Sequence, residues 1–332
     1  METRPFGNTG LRVSAVGFGA WAIGGPVTAG SQPIGWGRVD DAESEAALRR
    51  ALECGISFVD TADFYGLGHS EELVGRVLGN RSDAVVATKV GQTLGDHGEA
   101  AVDYSKAYIV AACESSLRRL HRDTIDFYQL HSARLTHLEE GGCIEAMESL
   151  ARAGKVRYWG LSLNTFQPAP EAEHLMERRL GHGFQLVLNV LNQRAVPLLE
   201  RAAELGYGVV ARMPFQFGLL TRKFTTATRF APDDHRSFRL TPAFLADALA
   251  ALAPFWSMAE ARGVSAAALS LGFAASFPGV STVIPGIRTP AQAEANAAPL
   301  LPVSPVERAE LWRLFERDLD ALLAPAERPA TS

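Results

Sequence analysis

Residues 125–161 read I-D-F-Y-Q-L-H-S-A-R-L-T-H-L-E-E-G-G-C-I-E-A-M-E-S-L-A-R-A-G-K-V-R-Y-W-G-L. The run Ile125–Leu130 is rich in aromatic and branched residues and predicts a strand. Leu138–Ala153 repeats its apolar residues at helical spacing, and Val156–Leu161 predicts a second strand. A strand, a helix and a strand in that order form a parallel pair joined by a right-handed crossover. The same alternation extends in both directions. Upstream, strands Val16–Phe18, Ser57–Asp60 and Ala84–Thr88 alternate with helices Asp41–Glu53, Ser70–Leu78 and Ser105–Leu120. Downstream come helix Pro168–Arg179, strand Gln185–Asn189, helix Ala195–Leu205, strand Gly208–Ala211, a long helical region Pro242–Ala275 and strand Thr282–Ile284. Eight strands with intervening helices predict an α/β fold of the (β/α)8 barrel type, with all the strands ending on one rim.

Local signals set several boundaries. Ser105 and one of Asp40 or Asp41 are suited to cap the helices they precede, and Gly154, Gly181 and Gly206 fit helix ends. Two pieces lie outside the repeat. Residues 3–13 hold Asn8-Thr9-Gly10 between β-prone pieces and predict a hairpin before the barrel. Residues 304–323 predict an extra C-terminal helix, and 324–332 a frayed tail. No linker divides residues 1–332, so one domain is expected. The loops Gly91–Tyr104 and Arg212–Leu240 are long, which marks them as candidates for function at the rim.

Composition narrows the function classes. The chain has 332 residues, 47% of them hydrophobic, and a net charge of −5. It carries no basic run, which speaks against nucleic-acid binding. No stretch approaches the ~20 apolar residues of a membrane span. Residues 13–24 loosely imitate a signal sequence, but glycines interrupt the run, and a cytoplasmic protein is expected. Cys54, Cys113 and Cys143 lack metal-ligand spacing, and their odd number argues against a disulfide framework; no metal is expected.

Four residues carry the chemistry: Asp60, Tyr65, Lys89 and His131. Three end or follow strand-like runs, and Tyr65 lies in the loop after the first. The barrel reading therefore brings them to adjacent staves at one end. A phenol, with a usual pKa of about 10, is a poor acid at neutral pH. A neighbouring ammonium pulls that value down, and a carboxylate can hold the ammonium in place. Together with an imidazole they make a device for protonating a carbonyl oxygen.

These segments, D-T-A-D-F-Y-G-L-G-H-S-E at 60–71, T-K at 88–89, Y-Q-L-H at 128–131 and G-K-V-R-Y-W-G-L-S at 154–162, resemble the aldo-keto reductases. G-L-L-T-R-K at 218–223 and I-P-G-I-R-T-P-A-Q at 284–292, followed by Asn296, extend the likeness over nearly the whole chain. The resemblance implies a metal-free, NADPH-dependent oxidoreductase that reduces an aldehyde, ketone or sugar-like carbonyl. Tyr65 would be the general acid, Lys89 held by Asp60 would lower its pKa, and His131 would orient the carbonyl. Ser162 and Gln185 match residues that hold the nicotinamide carboxamide of NADPH or NADP+. Asn164 stands one place beyond the family's usual asparagine. Arg212 replaces the usual aromatic residue against the nicotinamide, where a cation disfavours NADP+ relative to NADPH. Gly286, Arg288, Gln292 and Asn296 resemble the adenosine-phosphate pocket, with Arg288 suited to a 2′-phosphate.

Other readings compete. Gly17-x-Gly19-x-x-Ala22 imitates a dinucleotide fingerprint, but Ile23-Gly24-Gly25-Pro26 cannot open the helix it needs. Trp21 and Trp36 either wall a substrate pocket or pack. His69 reads as a helix-start residue. Arg134, Arg229, Arg236 and Arg239 either hint at an anionic or polyhydroxylated substrate or form a solvated basic loop. Functional alternatives are an NADP-dependent sugar or alcohol dehydrogenase working in the oxidative direction, and a channel β-subunit-like nucleotide-binding regulator. The expected partner is a small carbonyl compound, with a homo-oligomer left open.

Overall fold

The computed structural model describes residues 1–324; the expected frayed tail lies, but for Ala324, outside them. Eight parallel strands follow one another around a barrel in chain order. They are β1 Phe18–Gly19, β2 Phe58–Asp60, β3 Val85–Val90, β4 Ile125–His131, β5 Val156–Ser162, β6 Gly183–Val187, β7 Gly208–Arg212 and β8 Val280–Ile284. Bridges Val16–Val283 and Gly19–Gly286 join the last stave to the first. Helices cover the outside: α1 Asp41–Glu53, α2 His69–Leu78, α3 Lys106–Leu120, α4 Gly142–Arg152, α5 Ala169–Arg178, α6 Val196–Glu204, α7 Ala266–Ala275 and α8 Pro290–Asn296.

Sequence explains many of these limits. Asp40 accepts the Glu43 N–H at 2.9 Å and Ser105 the Tyr108 N–H at 3.3 Å, so both cap the donors a first helical turn leaves unpaired. Gly154, Gly181 and Gly206 take positive φ just beyond helix ends. His69 begins α2, as expected, and its ring bridges Gly24 O and the Asp41 carboxylate.

Periodicity overran the chain in two places, and one strand is shifted. The expected helix Leu138–Ala153 is broken by Gly141 at φ +80° into Leu135–Glu140 and α4. The region Pro242–Ala275 is three helices, Pro242–Ala251, Ala253–Ala261 and α7. Pro254 opens the second of them, bent 47° from the first, and Gly263 at φ +63° precedes the third. β6 starts at Gly183 and ends at Val187, two residues before the expected limit at each end. Among the described residues, no single helix is long and apolar enough to cross a membrane.

The expected hairpin, Thr3–Pro5 paired with Arg12–Ser14, closes the barrel floor. Phe6, from its turn, enters the barrel and packs with Phe58, Phe127, Val210 and Ile284. Room for it comes from glycines in register on three staves, Gly160, Gly183 and Gly208. A methyl group on Gly208 would come within 2.8 Å of the Phe6 ring, and one on Gly160 within 2.7 Å of Phe127.

At the opposite end, the loop after β3 folds into an antiparallel pair, Gln92–Leu94 with Ala100–Val102. The loop after β1 meets the loop after β7 through a Trp36–Asp234 bridge and a bond from the His235 N–H to Gly35 O at 3.0 Å. Two distant loops thus close one side of the mouth.

Candidate active site

The C-terminal ends of the staves surround a cavity of about 660 Å³. Asp60 ends β2, Lys89 points inward near the end of β3, and His131 ends β4. Lys89 is fully buried, and its ammonium donates to Asp60 Oδ2 at 2.8 Å, Thr61 O at 2.7 Å and the Tyr65 hydroxyl at 3.2 Å. A buried charge is stable only when paired and hydrogen-bonded, and three oxygens use all three donors of this one. Asp60 is held from its other oxygen by the side-chain amides of Gln185 at 2.6 Å and Gln129 at 3.3 Å.

Tyr65 stands on a short turn whose geometry depends on glycine. Gly66 has φ +66°, and a Cβ there would lie 2.0 Å from Gly24 O. His131 sets its ring nearly perpendicular to that of Tyr65, with centroids 5.9 Å apart, and its backbone carbonyl is held by the Tyr104 hydroxyl at 2.6 Å.

Burial governs the electrostatics. It raises the Tyr65 pKa above the usual 10.0; the Lys89 charge pulls it down, while Asp60 pushes it up. The sequence reading anticipated the Lys89 effect but not the net direction, which follows from enclosing the phenol among nonpolar walls. Burial also acts against the Lys89 proton, but Asp60 and Tyr65 outweigh it and the ammonium is stabilised. His131 is held well below its usual 6.5 by burial, then by the charges of Lys89 and Arg212, so its imidazole is neutral at neutral pH. Its Nδ1 is buried, with no partner among the described residues.

Most of the other candidates share this cavity. Ser162, Gln185 and Arg212 line it on one side, and Gly286, Arg288, Gln292 and Asn296 on another. The Ser162 hydroxyl lies 3.5 Å from Gln185 Oε1. Arg212 donates to Thr165 Oγ1 at 3.0 Å and Leu163 O at 3.2 Å, while its buried Nε has no partner among the described residues. Trp21 and Trp36 are walls of the cavity, Trp21 stacked 6.1 Å from the Tyr65 ring.

Three candidates fall outside, among them Arg229, which is exposed and donates to the Thr226 and Thr228 carbonyls at 2.9 and 2.8 Å. Asn164 spends its side-chain oxygen on the Phe166 and Gln167 N–H groups at 3.0 and 2.9 Å, an internal turn cap, and does not line the cavity. Arg134 is exposed at the start of Leu135–Glu140 and likewise lies outside it.

A profile of the aldo/keto reductase family matches residues 15–311. The chain belongs to the aldo/keto reductase family. It is 31% identical to aldo-keto reductase YhdN of Bacillus subtilis over 89% of this chain and 87% of that relative. Its structure is similar to a glycerol dehydrogenase from Gluconobacter oxydans, with a TM-score of 0.79 at 28% identity, covering 99% and 98% of the two chains. An aldo/keto reductase from Klebsiella pneumoniae solved with NADP and acetate matches at 0.68 and 26% identity, covering 95% and 96%.

Several functional candidates of this aldo/keto reductase escaped the sequence reading. Gln129 was within reach of it, because it alternates with Phe127 and His131 on the inward face of β4. Phe217 and His235 were not. They come from the loop after β7 and pack against both tryptophans, with His235 centroids 4.5 Å from each. Burial and the nearby Arg239 push the His235 pKa down to about 3. Met213 and Phe217 adopt positive φ beside the cavity, conformations L-residues rarely take.

Proposed function

We propose that the chain reduces an aldehyde, ketone or sugar-like carbonyl with NADPH, and that Tyr65 is the general acid. The observation that carries this reading is the single ammonium of Lys89 joined at once to Asp60, Thr61 O and the Tyr65 hydroxyl. A substrate carbonyl oxygen seated between Tyr65 and the neutral His131 receives the phenolic proton, and the Lys89 charge stabilises the phenolate left behind.

The cavity suits the cofactor. Ser162 and Gln185 offer an amide-binding pair, and Arg212 would stand against the nicotinamide. Gly286, Arg288, Gln292 and Asn296 form a polar cradle, in which the Arg288 guanidinium suits a 2′-phosphate. When bound, NADPH supplies the hydride; the protein supplies position and electrostatics. NADP is also bound by the relative from Klebsiella pneumoniae.

Near neutrality Tyr65 carries its proton, the form that carbonyl reduction uses, and the Lys89 ammonium offsets part of the cost that burial puts on the phenolate left behind. A phenol that keeps its proton is ready to donate it, whereas alcohol oxidation needs the phenolate. The Arg212 cation also suits reduction, since it repels an oxidised nicotinamide. The test is Tyr65→Phe: carbonyl reduction falls by about 10²–10⁴-fold while NADPH titration gives an unchanged dissociation constant. A variant that still turns over at a near-normal rate sinks the assignment.

A further inference from the structure

The mouth of the cavity carries more positive charge than the cofactor reading uses. Among the described residues lining it, Asp60 is the one acid, and it is bound to Lys89. Facing it are the cations Arg212, Lys223, Arg236, Arg239 and Arg288. Arg288 has a role at the adenosine end, and Arg236 is neutralised by Asp234 at 2.5 Å. Lys223 is exposed and, like Arg239, has no hydrogen-bonding or ion-pair partner among the described residues, but Arg239 alone of the two is placed against aromatic rings. Its guanidinium lies over the rings of Phe238, at 4.8 Å, and Phe217, at 5.6 Å.

Position relative to Tyr65 indicates what such a cation could hold. From Tyr65 the wall runs to Trp21 at 6.1 Å, from Trp21 to Phe217 at 6.2 Å, and from Phe217 to Arg239. Counted along this wall from the proton donor, the guanidinium comes after two aromatic side chains, Trp21 and Phe217, rather than against the phenol itself. Aromatic faces suit a flat, apolar middle, and a guanidinium suits a carboxylate or phosphate at the end. Arg212 adds a like charge that Arg239 feels, so an anion at this mouth relieves repulsion already present in the fold.

We propose that the substrate is a carbonyl compound with an aromatic or similarly flat body and a carboxylate or phosphate remote from the carbonyl, and that Arg239 binds this anionic end. This rests on the carbonyl-reductase reading and narrows its substrate class. Arg239 is a specificity residue here; it has no part in proton transfer.

The test compares matched pairs under NADPH: 4-carboxybenzaldehyde with benzaldehyde, 4-formylphenyl phosphate with 4-hydroxybenzaldehyde, and phenylglyoxylate as an anion placed beside the carbonyl. The expected result is that the remote anion raises kcat/KM roughly tenfold, through KM, the size of one charge-assisted hydrogen bond. The advantage shrinks as salt is raised. In Arg239→Ala the ratio within each pair falls toward one, and Arg239→Lys restores part of it. The two pairs tell carboxylate from phosphate. A wild-type ratio near one, a ratio that survives in Arg239→Ala, or a preference for phenylglyoxylate over 4-carboxybenzaldehyde overturns the proposal. Should none of these compounds be reduced, nor any of a set of ketones and sugars, the parent reading fails. The anchor is then judged by tryptophan-fluorescence titration of the NADP+-loaded protein with 4-carboxybenzaldehyde and benzaldehyde; equal affinities overturn it and tighter binding of the anion, lost in Arg239→Ala, upholds it.

Discussion

The floor and the mouth of this barrel are built on the same staves, one pleat apart. β2 sends Phe58 to the floor and Asp60 to the mouth. β3 offers Ala87 below and Lys89 above, and β4 offers Phe127 below with Gln129 and His131 above. All of these point inward, since strand side chains two apart share a face. At the floor the interior is filled by carbon, with Phe6 brought from outside the repeat to complete it. At the mouth the same interior carries a buried ion pair, whose desolvation works against stability. The comparison teaches that inwardness alone does not assign a residue to core or to chemistry; its height along the stave does.

The comparison can be broken most directly at Lys89. Lys89→Met removes the cation from Tyr65 and leaves Asp60 with only neutral amide partners. Steady-state reduction is expected to fall about 10²–10⁴-fold, beyond anything a lowered melting temperature accounts for at a temperature where the protein stays folded. If turnover survives, the mouth is not the chemical half of the barrel. The floor makes the converse case. Phe6→Ala opens a cavity in a fully enclosed site and should lower the unfolding free energy by about 3–5 kcal/mol, measured by denaturant titration. In the folded fraction kcat/KM should be retained, and a floor variant that kills catalysis without unfolding would erase the distinction.

The smallest expected effects lie in pH. With the Tyr65 pKa raised above 10.0, reduction should stay insensitive to phenol ionisation through the ordinary tyrosine range and decline only above it. His131 sits well below 6.5 in the folded chain, so the kcat profile should show no inflection there. Its linkage to stability has a definite sign. A histidine whose folded pKa is depressed binds its proton first in the unfolded chain, so stability falls as pH drops through about 6.5. His174 and His235 act in the same sense. Melting temperatures between pH 8 and pH 5 should therefore decline, and more gently in His131→Phe. An unchanged slope in that variant would place the depressed histidines elsewhere.

What could be read from the chain alone was whatever depends on near neighbours in sequence. The alternation of strand and helix announced eight staves, the caps at Asp40 and Ser105 were legible, and Asp60, Lys89 and His131 stood at stave ends with Tyr65 in the loop after the first of them. Periodicity failed where one residue interrupts it: Gly141 and Pro254 divide helices that hydrophobic spacing had joined, because a left-handed residue or a missing N–H outweighs a continuing apolar stripe. Only the tertiary structure decided the rest. The direction of the Tyr65 pKa depends on how completely distant segments exclude water from the phenol. Asn164 is consumed by its own turn, while Phe217, His235 and Arg239 reach the mouth from a loop more than 150 residues downstream of Tyr65. Burial and long-range charge are properties of segments brought together by folding, and no local pattern encodes which segments those will be.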